Sequence, residues 1–408
     1  SSMQCTRRAQ AHVIPQVRGN GCWAKRSIPW AVAECSGSRR RFSAAQSFQK
    51  LPLLEHALLH EDIDSFAAEL RLACSQVGFF VLVGLPDKLE TLNQELLRVS
   101  AEFFEQPAAV KDGIDYALSP QFRGYMRTGM ENTAGRTDQR EQIEFGREED
   151  AASMTSDAPL YDRLRGPNQW PPTPVRLREV KEQWMREMEE LSRKLTQALS
   201  LSLGLHVAAL DTYFDVPHVQ SKLVHYPLQC DSSATSDEDL GVGAHSDSGF
   251  LTLLLQDDIG GLEILNAVGD WVIADPIPRS IVCNLGEVMQ LLTNGAYLST
   301  VHRVKRPVSS RASKTSAIGR LSAPYFWNPS LSSVIMPLEL PAGFPPARDD
   351  SHLARSFQRP REGANFLSSE YGMNAFKSLA RSHPQVLAMH HPDLMVLPDG
   401  RVTRTDAP

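Results

Sequence analysis

The stretch VGAHSDSGFLTLLLQ, residues 242–256, carries a histidine and an aspartate two positions apart, just before an apolar run typical of a strand. In a strand, residues i and i+2 project from the same face, so His245 and Asp247 would present an imidazole beside a carboxylate. His302, in the strand-like run YLSTVHRV, lies 55 residues after Asp247 and could add a second imidazole. Two histidines and one carboxylate leave three octahedral positions open, which suits non-haem Fe(II) that binds O2 and a chelating cosubstrate.

The pattern His-x-Asp is weak evidence by itself, since it occurs three times, at His60, His245 and His391. We expect His60 at the edge of a helix and His391 in a polar tail, so neither adjoins a strand. His56 and His60 also form an i, i+4 pair, but the chain has no H-E-x-x-H motif and no third ligand beside them. For any of these pairs taken alone, ordinary packing is the competing interpretation.

A second i, i+2 pair, Arg320 and Ser322 in RLSAPYF, follows the histidines. A strand that places a guanidinium beside a hydroxyl can bind a carboxylate, because the planar donor fork of arginine matches two oxygens. Arg-x-Ser alone is typical of a surface strand. Its position after His245, Asp247 and His302 is what favours a functional interpretation.

Helical periodicity is clear in the first half of the chain, from Leu51 onward. Apolar residues recur at helical spacing in SFAAELRLACSQVG, which ends at Gly78, and in LETLNQELLRVSAEFFEQP, which ends at Pro107; FFVLVGL between them is typical of a buried strand. A longer helix is predicted to end near Gly204. Its apolar stripe, which we expect to pack against a sheet, consists of Val180, Trp184, Met188, Leu191, Leu195 and Leu199.

After residue 219 the sequence changes to short runs rich in Val, Ile, Leu and Thr, separated by Gly, Pro, Asn and Asp. Such strands predict an antiparallel sandwich or barrel, so the fold class is mainly β with flanking helices. A helical insertion is expected at 286–295 and a short helix near NAFKSLARSH. The predicted divisions are a basic leader (1–50), a helix and strand region (51–170), a long helix with the β core (171–337) and a C-terminal extension (338–408).

Composition excludes several classes of protein. Of the 408 residues, 42% are hydrophobic and 22% are charged, and the net charge is -6. This acidic balance, without a basic stripe interleaved with aromatics, argues against nucleic acid as a partner. No apolar stretch approaches the roughly 20 residues that span a bilayer, so no membrane partner is expected. The six cysteines show no C-x-x-C pairing, which favours a reducing compartment.

The first 50 residues differ from the rest, with nine Lys or Arg against the single acid Glu34. This composition is typical of a transit peptide, and RRRFSAAQ, residues 39–46, is similar to a mitochondrial processing site. We therefore predict an intracellular protein, imported into a mitochondrion or plastid. The alternative is a disordered basic tail on a cytoplasmic protein.

The order His-x-Asp, histidine, Arg-x-Ser resembles the iron- and 2-oxoglutarate-dependent oxygenases of the isopenicillin N synthase-like family. Further stretches resemble successive blocks of that family from about residue 51 to about residue 335. They include LACSQVGFFVLVGLP, AEFFEQP, RGPNQWP, KLVHYP, AHSDSGFLTLLLQDDIGGLEIL, WVIADPIPRSIVCNLGEVMQLLTNGAYLSTVHRV and RLSAPYFWNPS. The resemblance implies a double-stranded β-helix, or jelly roll, with helices packed outside.

The resemblance also implies roles for individual residues. His245, Asp247 and His302 would bind Fe(II), Arg320 and Ser322 would hold the distal carboxylate of 2-oxoglutarate, and Tyr226 would assist at the cosubstrate. No catalytic residue is predicted beyond the metal centre. Candidates for the substrate pocket are Phe326, Tyr125 and Arg123. One departure is Val224-His225-Tyr226-Pro227, where the family has Asn-Tyr-Tyr-Pro, so a contact from that asparagine is lost.

The implied reaction oxidises a small organic molecule with release of succinate and CO2. Hydroxylation is the expected outcome, and desaturation or cyclisation are alternatives. Two other hypotheses stay open: a family member that uses ascorbate or substrate electrons without 2-oxoglutarate, and a catalytically silent binding module. A monomer is expected. A nicotinamide enzyme is excluded, because GVGAHSDSG is not G-x-G-x-x-G and precedes a strand rather than a helix.

Overall fold

A computed structural model describes residues 47–133, 136–151, 158–228, 240–307, 318–342, 344, 369–398 and 400–405. Nearly all of the predicted leader lies outside these residues. Most of two polar stretches of the sequence, residues 231–241 and 306–319, also lie outside them. Within the described residues the helices are α1 (Leu58–Glu61), α2 (Ile63–Gln76), α3 (Asp87–Phe104), α4 (Ala108–Asp112), α5 (Leu177–Ser202), α6 (Glu287–Leu292), α7 (Tyr371–Ser382) and α8 (Pro384–His390).

The described strands are mostly short. They are β1 (Leu53–Glu55), β2 (Phe79–Val83), β3 (Gly124–Met126), β4 (Asn132–Thr133), β5 (Arg136–Thr137), β6 (Glu141–Gly146), β7 (Pro217–Pro227), β8 (Leu240–His245), β9 (Leu251–Gln256), β10 (Leu262–Leu265), β11 (Trp271–Ile273), β12 (Ser280–Leu285), β13 (His302–Lys305), β14 (Gly319–Ser330), β15 (Leu394–Val396) and β16 (Val402–Arg404).

Two sheets form the body of the fold. The major sheet has the order β1-β2-β12-β9-β14-β7-β6-β3, and the minor sheet has the order β11-β10-β13-β8. Among these pairs only β1 and β2 are parallel. Neighbours in the sheet that are distant in sequence, such as β9 beside β14, give the crossed connections of a jelly roll.

Alternation along the central strands separates two cores. On β14, Leu321, Ala323, Tyr325 and Trp327 pack in the larger core, which also contains the buried stripe of α5. The side chains between them project from the opposite face, as period-2 geometry requires. Val224, Tyr226 and Val282 of the major sheet meet Val242, Leu262, Ile264 and Val304 of the minor sheet in a second, smaller core. The polar residues of this second face are therefore directed between the two sheets.

The sequence predicts most of these elements. Helices α2, α3, α5 and α6 and strand β2 lie where periodicity indicates, and α7 covers NAFKSLARSH. The run YLSTVHRV is shorter as a strand than predicted, because only His302–Lys305 pairs with neighbours. Before it, Leu298 donates its N–H to the Cys74 carbonyl and Thr300 Oγ1 donates to the Val77 carbonyl. These bonds tie the segment to the end of α2 instead of a sheet.

The prediction of a polar tail at His391 is wrong. His391 is buried and contacts Arg163 and the Pro120 carbonyl through its two ring nitrogens, at 3.0 and 2.8 Å. Its ring also stacks on Phe122. Asp393 forms a two-point ion pair with Arg163. This third His-x-Asp pair therefore fastens the C-terminal segment to the body, which sequence spacing could not reveal.

Among the described residues, no helix combines the length and the apolar content that a membrane crossing requires. The described residues, which begin at Ser47, group as one compact unit.

Candidate metal centre

Three side chains from separate segments meet between the two sheets. His245 is the last residue of β8, His302 is the first residue of β13, and the two are direct partners in the strand register. One ligand atom from each of His245, Asp247 and His302 lies within 4.8 Å of the other two. Among the described residues this is the one group of three or more potential ligands close enough to hold a metal ion.

Backbone carbonyls fix both imidazole rings. Nδ1 of His245 lies 2.8 Å from the Gly243 carbonyl, and Nδ1 of His302 lies 3.2 Å from the Thr300 carbonyl. Because a carbonyl only accepts, Nδ1 carries the proton in each neutral ring and Nε2 keeps its lone pair. Both Nε2 atoms face Oδ1 of Asp247, at 3.8 and 3.6 Å. This is the tautomer that metal binding through Nε2 needs.

The other oxygen of Asp247 is already occupied. Oδ2 accepts a hydrogen bond of 2.6 Å from Thr252 Oγ1 on β9 and one of 2.8 Å from Asn284 Nδ2 on β12. Both donors belong to the major sheet and project from the face directed between the sheets. They orient the carboxylate so that Oδ1 alone faces the histidines. No sequence pattern singles out either residue as a partner of the carboxylate, although each lies in a run of strand-forming residues.

Burial and mutual charge set the protonation of the cluster. Burial, followed by the neighbouring His302, lowers the pKa of His245 to about 4. Burial alone would raise the pKa of Asp247, but His302, His245 and the two hydrogen bonds leave it below its ordinary value. At neutral pH the cluster therefore offers an anionic carboxylate and a neutral His245 imidazole, both in the protonation state that a metal ligand requires.

Asp247 does not lie in a strand, although its spacing from His245 predicted that it would. The strand ends at His245, so Asp247 lies in the irregular segment that follows. Its backbone carbonyl accepts from the N–H of Glu287 at 2.8 Å, at the start of α6. At Gly286 a Cβ would come within 2.1 Å of the Gly249 carbonyl, so only glycine permits this approach. A turn clamped by α6, not the pleat of a strand, positions the carboxylate.

Arg320 is fully buried on β14. Its Nη1 donates to Ser322 Oγ and its Nη2 to Gln256 Oε1, both at 3.3 Å. Among the described residues, its buried Nε has no hydrogen-bond partner. The nearby Asp257 carboxylate accepts from the backbone N–H groups of Leu321 and Ile259 instead. Asp257 interacts with Arg320 through charge, but the buried Nε still lacks a hydrogen-bond acceptor, so this position suits a further anion.

Tyr226 lies beside this arginine. It is the cross-strand partner of Arg320, and its ring lies 4.9 Å from the guanidinium carbon. The ring packs closely on β8, where a Cβ at position 241 would come within 2.4 Å of Tyr226 Cδ1. Gly241 therefore allows the tyrosine to lie flat between the sheets.

A small cavity connects these features. It has a volume of about 70 Å³ and is lined by the three triad residues together with Thr252, Asn284, Tyr226, Arg320 and Ser322. The donor set at one end fits Fe(II), and the buried cation at the other end fits a carboxylate. A molecule that chelates a metal at one end and carries a carboxylate at the other matches both ends.

A larger cavity of about 850 Å³ adjoins the triad. It shares His245, Asp247 and Phe326 with the small one. Its polar walls include Glu131, Arg140, Glu144, Gln220, Lys222 and Asn328, and α7 contributes Lys377, Ser378, Arg381 and Ser382. Sequence analysis predicted Phe326 at the pocket but missed these charged residues, because the chain segments that carry them are far apart in sequence.

Two predicted pocket residues lie elsewhere. Arg123 is buried and donates to the backbone carbonyls of Leu164, Gly166 and Arg147, and burial lowers its pKa to about 10. The hydroxyl of Tyr125 donates to Glu141 Oε2 at 2.5 Å. Neither side chain lines the small or the large cavity. Both hold chain segments together on the outer part of the major sheet.

Two family models match the chain in succession. One, described as non-haem dioxygenase in morphine synthesis N-terminal, matches residues 51–173, and the other, described as 2OG-Fe(II) oxygenase superfamily, matches residues 213–329. A 2-oxoglutarate-dependent dioxygenase, frbJ of Dothideomycetidae sp. (strain 11243), is 32% identical over 349 residues, covering 83% of this chain and 91% of the relative. The chain belongs to the 2OG-Fe(II) oxygenase superfamily. The predicted isopenicillin N synthase-like type is confirmed.

Two further comparisons extend this finding. Homoarginine-6-hydroxylase 2-ODD-C23.1 of Arabidopsis thaliana is 31% identical over 309 residues, covering 72% of this chain and 90% of the relative. The crystal structure of a full-length Neurospora crassa protein in complex with alpha-KG superposes with a TM-score of 0.63 at 25% identity, covering 81% of this chain and 96% of the other. The predicted jelly roll is confirmed.

The oxygenase is therefore an Fe(II)- and 2-oxoglutarate-dependent dioxygenase, an oxidoreductase that uses O2 and acts on a small molecule. The hypotheses of a family member without 2-oxoglutarate and of a silent binding module are not favoured by these relatives.

Proposed function

We propose that His245, Asp247 and His302 hold the Fe(II) of this oxygenase and that Arg320 and Ser322 bind the distal carboxylate of 2-oxoglutarate, with Tyr226 beside it. The observation that carries the proposal is the buried, unpaired Nε of Arg320 at the far end of a cavity whose other end is the triad. No described acceptor satisfies that donor, and a dicarboxylate spanning the cavity would do so.

The side chains have separate tasks in this proposal. The Gly243 and Thr300 carbonyls hold the two imidazoles in the Nε2-ligating tautomer, and Thr252 and Asn284 hold the carboxylate. Bound iron supplies the oxidising chemistry, in which O2 and 2-oxoglutarate are consumed and succinate and CO2 are released. The apolar side chains between the sheets keep water away from the reacting groups. Arg320 anchors the cosubstrate so that its other end faces the triad.

The prime substrate would occupy the large cavity, with Phe326 against it where the two cavities meet. Hydroxylation is the proposed outcome. The plant relative is named for homoarginine, so basic amino acids come first in a substrate panel. Arg123 and Tyr125 have no part in this proposal, because both side chains donate hydrogen bonds to other groups of the protein.

The test is succinate formation from 2-oxoglutarate by the full chain with Fe(II) and O2, alone and with a panel of small molecules. We expect slow turnover without substrate and stimulation by one chemical class. Product analysis by mass spectrometry should show one added oxygen for hydroxylation or the loss of two hydrogens for desaturation or ring closure. Absence of succinate under all conditions would contradict the proposal.

We also propose that residues 1–50 direct import into an organelle. The proposed divisions at residues 50, 170 and 337 separate the leader, the N-terminal region, the β core and the C-terminal extension. The enzyme is further proposed to act as a monomer without nucleic acid or membrane partners. The nine basic residues and single acid of the leader support the first point. Fusion of residues 1–50 to a reporter tests import, and a reporter that stays in the cytosol would contradict it. Light scattering tests the monomer.

A further inference from the structure

The large cavity is lined by ion pairs in which two carboxylates face two cations. Lys222 Nζ lies 2.5 Å from Glu144 and 3.6 Å from Glu131, and Arg140 also bonds Glu131. Burial acts to raise the pKa of Glu131, but Lys222 and Arg140 together hold it at about 2. Glu131 is therefore ionised at neutral pH and pairs with both cations.

Arg140 is distinctive, because most of its hydrogen-bonding capacity is unused within the described part of the chain. Only its Nη2 donates there, to Glu131 and, at 3.1 Å, to Asp138. Among the same residues no hydrogen bond of Nη1 is found, and Nε is buried without a partner. A guanidinium offers five N–H donors in a fixed plane, so a ligand could still accept hydrogen bonds from Nε and Nη1 of Arg140.

Arg140 lies at both cavities. Its side chain is 14% exposed and lines both the small cavity at the triad and the large cavity beyond it. The arginine therefore lies where the two cavities meet, together with Phe326. Because the large cavity also borders His245 and Asp247, a molecule that occupies it beside the triad can contact this guanidinium.

We propose that Arg140 binds a carboxylate of the prime substrate, so that the enzyme acts on small carboxylic acids, amino acids included. The inference rests on the proposed function of the cavities. A carboxylate is favoured over a neutral acceptor because charge-assisted bonds to a guanidinium are stronger and match its planar fork. Such a ligand would also give the buried, unpaired Nε an acceptor.

The first experiment compares matched ligands on the full wild-type chain. Basic, neutral and acidic L-amino acids, L-homoarginine and simple aliphatic acids are each tested beside their own carboxamides, with succinate formation as the readout. We expect at least one acid to stimulate turnover with a kcat/KM about tenfold or more above that of its amide. Amides that stimulate as well as acids, or stimulation confined to compounds without a carboxylate, would overturn the inference.

The second experiment uses Arg140→Lys, which keeps a cation beside Glu131 and Asp138 but loses the planar fork. We expect the KM of the best acid to rise about tenfold, with a smaller change in kcat and a reduced preference for acid over amide. Arg127→Lys is the matched control, since Arg127 pairs with Asp112 and lines neither cavity. Thermal melting confirms that both variants fold.

The outcomes separate the two levels of the argument. Wild-type protein that forms no succinate with Fe(II) and 2-oxoglutarate contradicts the proposed function itself. Wild-type turnover with an unchanged acid preference in Arg140→Lys contradicts only the role of Arg140.

Discussion

At the residue scale, His245, Asp247 and His302 line a cavity instead of filling a packed core, so their removal should affect chemistry more than folding. We predict that His245→Ala or Asp247→Ala abolishes 2-oxoglutarate turnover and weakens Fe(II) binding, while the melting temperature changes little. The measurements are succinate formation, Fe(II) titration and thermal unfolding. His60→Ala is the control, because His60 is an exposed histidine of another His-x-Asp pair. Turnover retained in both ligand variants would refute the triad.

Thr252 and Asn284 should act through Asp247. Both donate to Oδ2, so their loss leaves the carboxylate free to rotate. We predict that Thr252→Val and Asn284→Leu each weaken Fe(II) binding by about 10-fold to 100-fold, as partners of metal ligands typically do. Metal titration of the protein without 2-oxoglutarate measures this directly. Ser248→Ala is the control, because Ser248 lies next to Asp247 in the segment after β8 and is not one of the two donors to Oδ2. This variant should bind Fe(II) normally. Equal weakening in Ser248→Ala would mean that any change near Asp247 disturbs the metal site.

Arg320 provides the test of the cosubstrate site. Removing one partner of a buried ion pair typically costs about 3 to 5 kcal/mol. Arg320→Leu should therefore raise the apparent constant for 2-oxoglutarate by roughly 100-fold or more. Fe(II) affinity should change little, because the guanidinium lies at the opposite end of the cavity from the ligands. Normal turnover without dependence on 2-oxoglutarate would mean that Arg320 holds something else.

At the element scale, alternation along β14 explains how one strand serves two purposes. Leu321 and Trp327 face the helices, whereas Arg320, Ser322 and Phe326 face the cavity between the sheets. The i, i+2 spacing of Arg320 and Ser322 predicts their common face from sequence alone. The same argument fails for Asp247, which lies beyond its strand, because a turn held by α6 replaces the pleat.

The C-terminal segment is an element whose role sequence analysis underestimated. Helix α7 lines the large cavity, and His391 anchors the segment that follows it. We predict that His391→Ala lowers the free energy of unfolding by about 1 to 3 kcal/mol, because it leaves the buried Arg163 and the Pro120 carbonyl with one partner fewer. Chemical denaturation measures the change. Stability equal to that of wild type would show that these contacts contribute nothing to folding.

At the scale of the whole molecule, the compact unit of described residues includes Phe48 near its start. The Phe48 carbonyl accepts from Asn266 Nδ2 at 3.2 Å, and its ring packs on the core between the sheets. We predict that a chain starting at Ser43 equals the full chain in melting temperature and turnover, since residues 1–42 show no periodicity that would join a core. A chain starting at Pro52 loses Phe48 and Leu51 and should melt at a lower temperature. Loss of activity on removal of residues 1–42 would contradict the prediction.

Much of the fold and the residues of the proposed site can be predicted from the amino-acid sequence. The order of His245, Asp247, His302, Arg320 and Ser322 predicts the metal and cosubstrate site through its resemblance to the oxygenase family. The common face of Arg320 and Ser322 follows from the strand period, which is a local property. Periodicity likewise predicts α2, α3, α5 and the short strands, since burial of one face repeats along each element. These features need no knowledge of which elements meet.

Which residues line the same cavity depends on the tertiary structure. Thr252 and Asn284 on the carboxylate, Arg140 between the cavities, α7 over the substrate space and the burial of His391 all depend on contacts between segments far apart in the chain. Arg123 and Tyr125 likewise bond to protein groups that are distant in sequence, the Leu164 carbonyl and the Glu141 carboxylate. Such contacts arise from the packing of two sheets and the docking of a C-terminal helix, and no spacing within a single strand or helix encodes them.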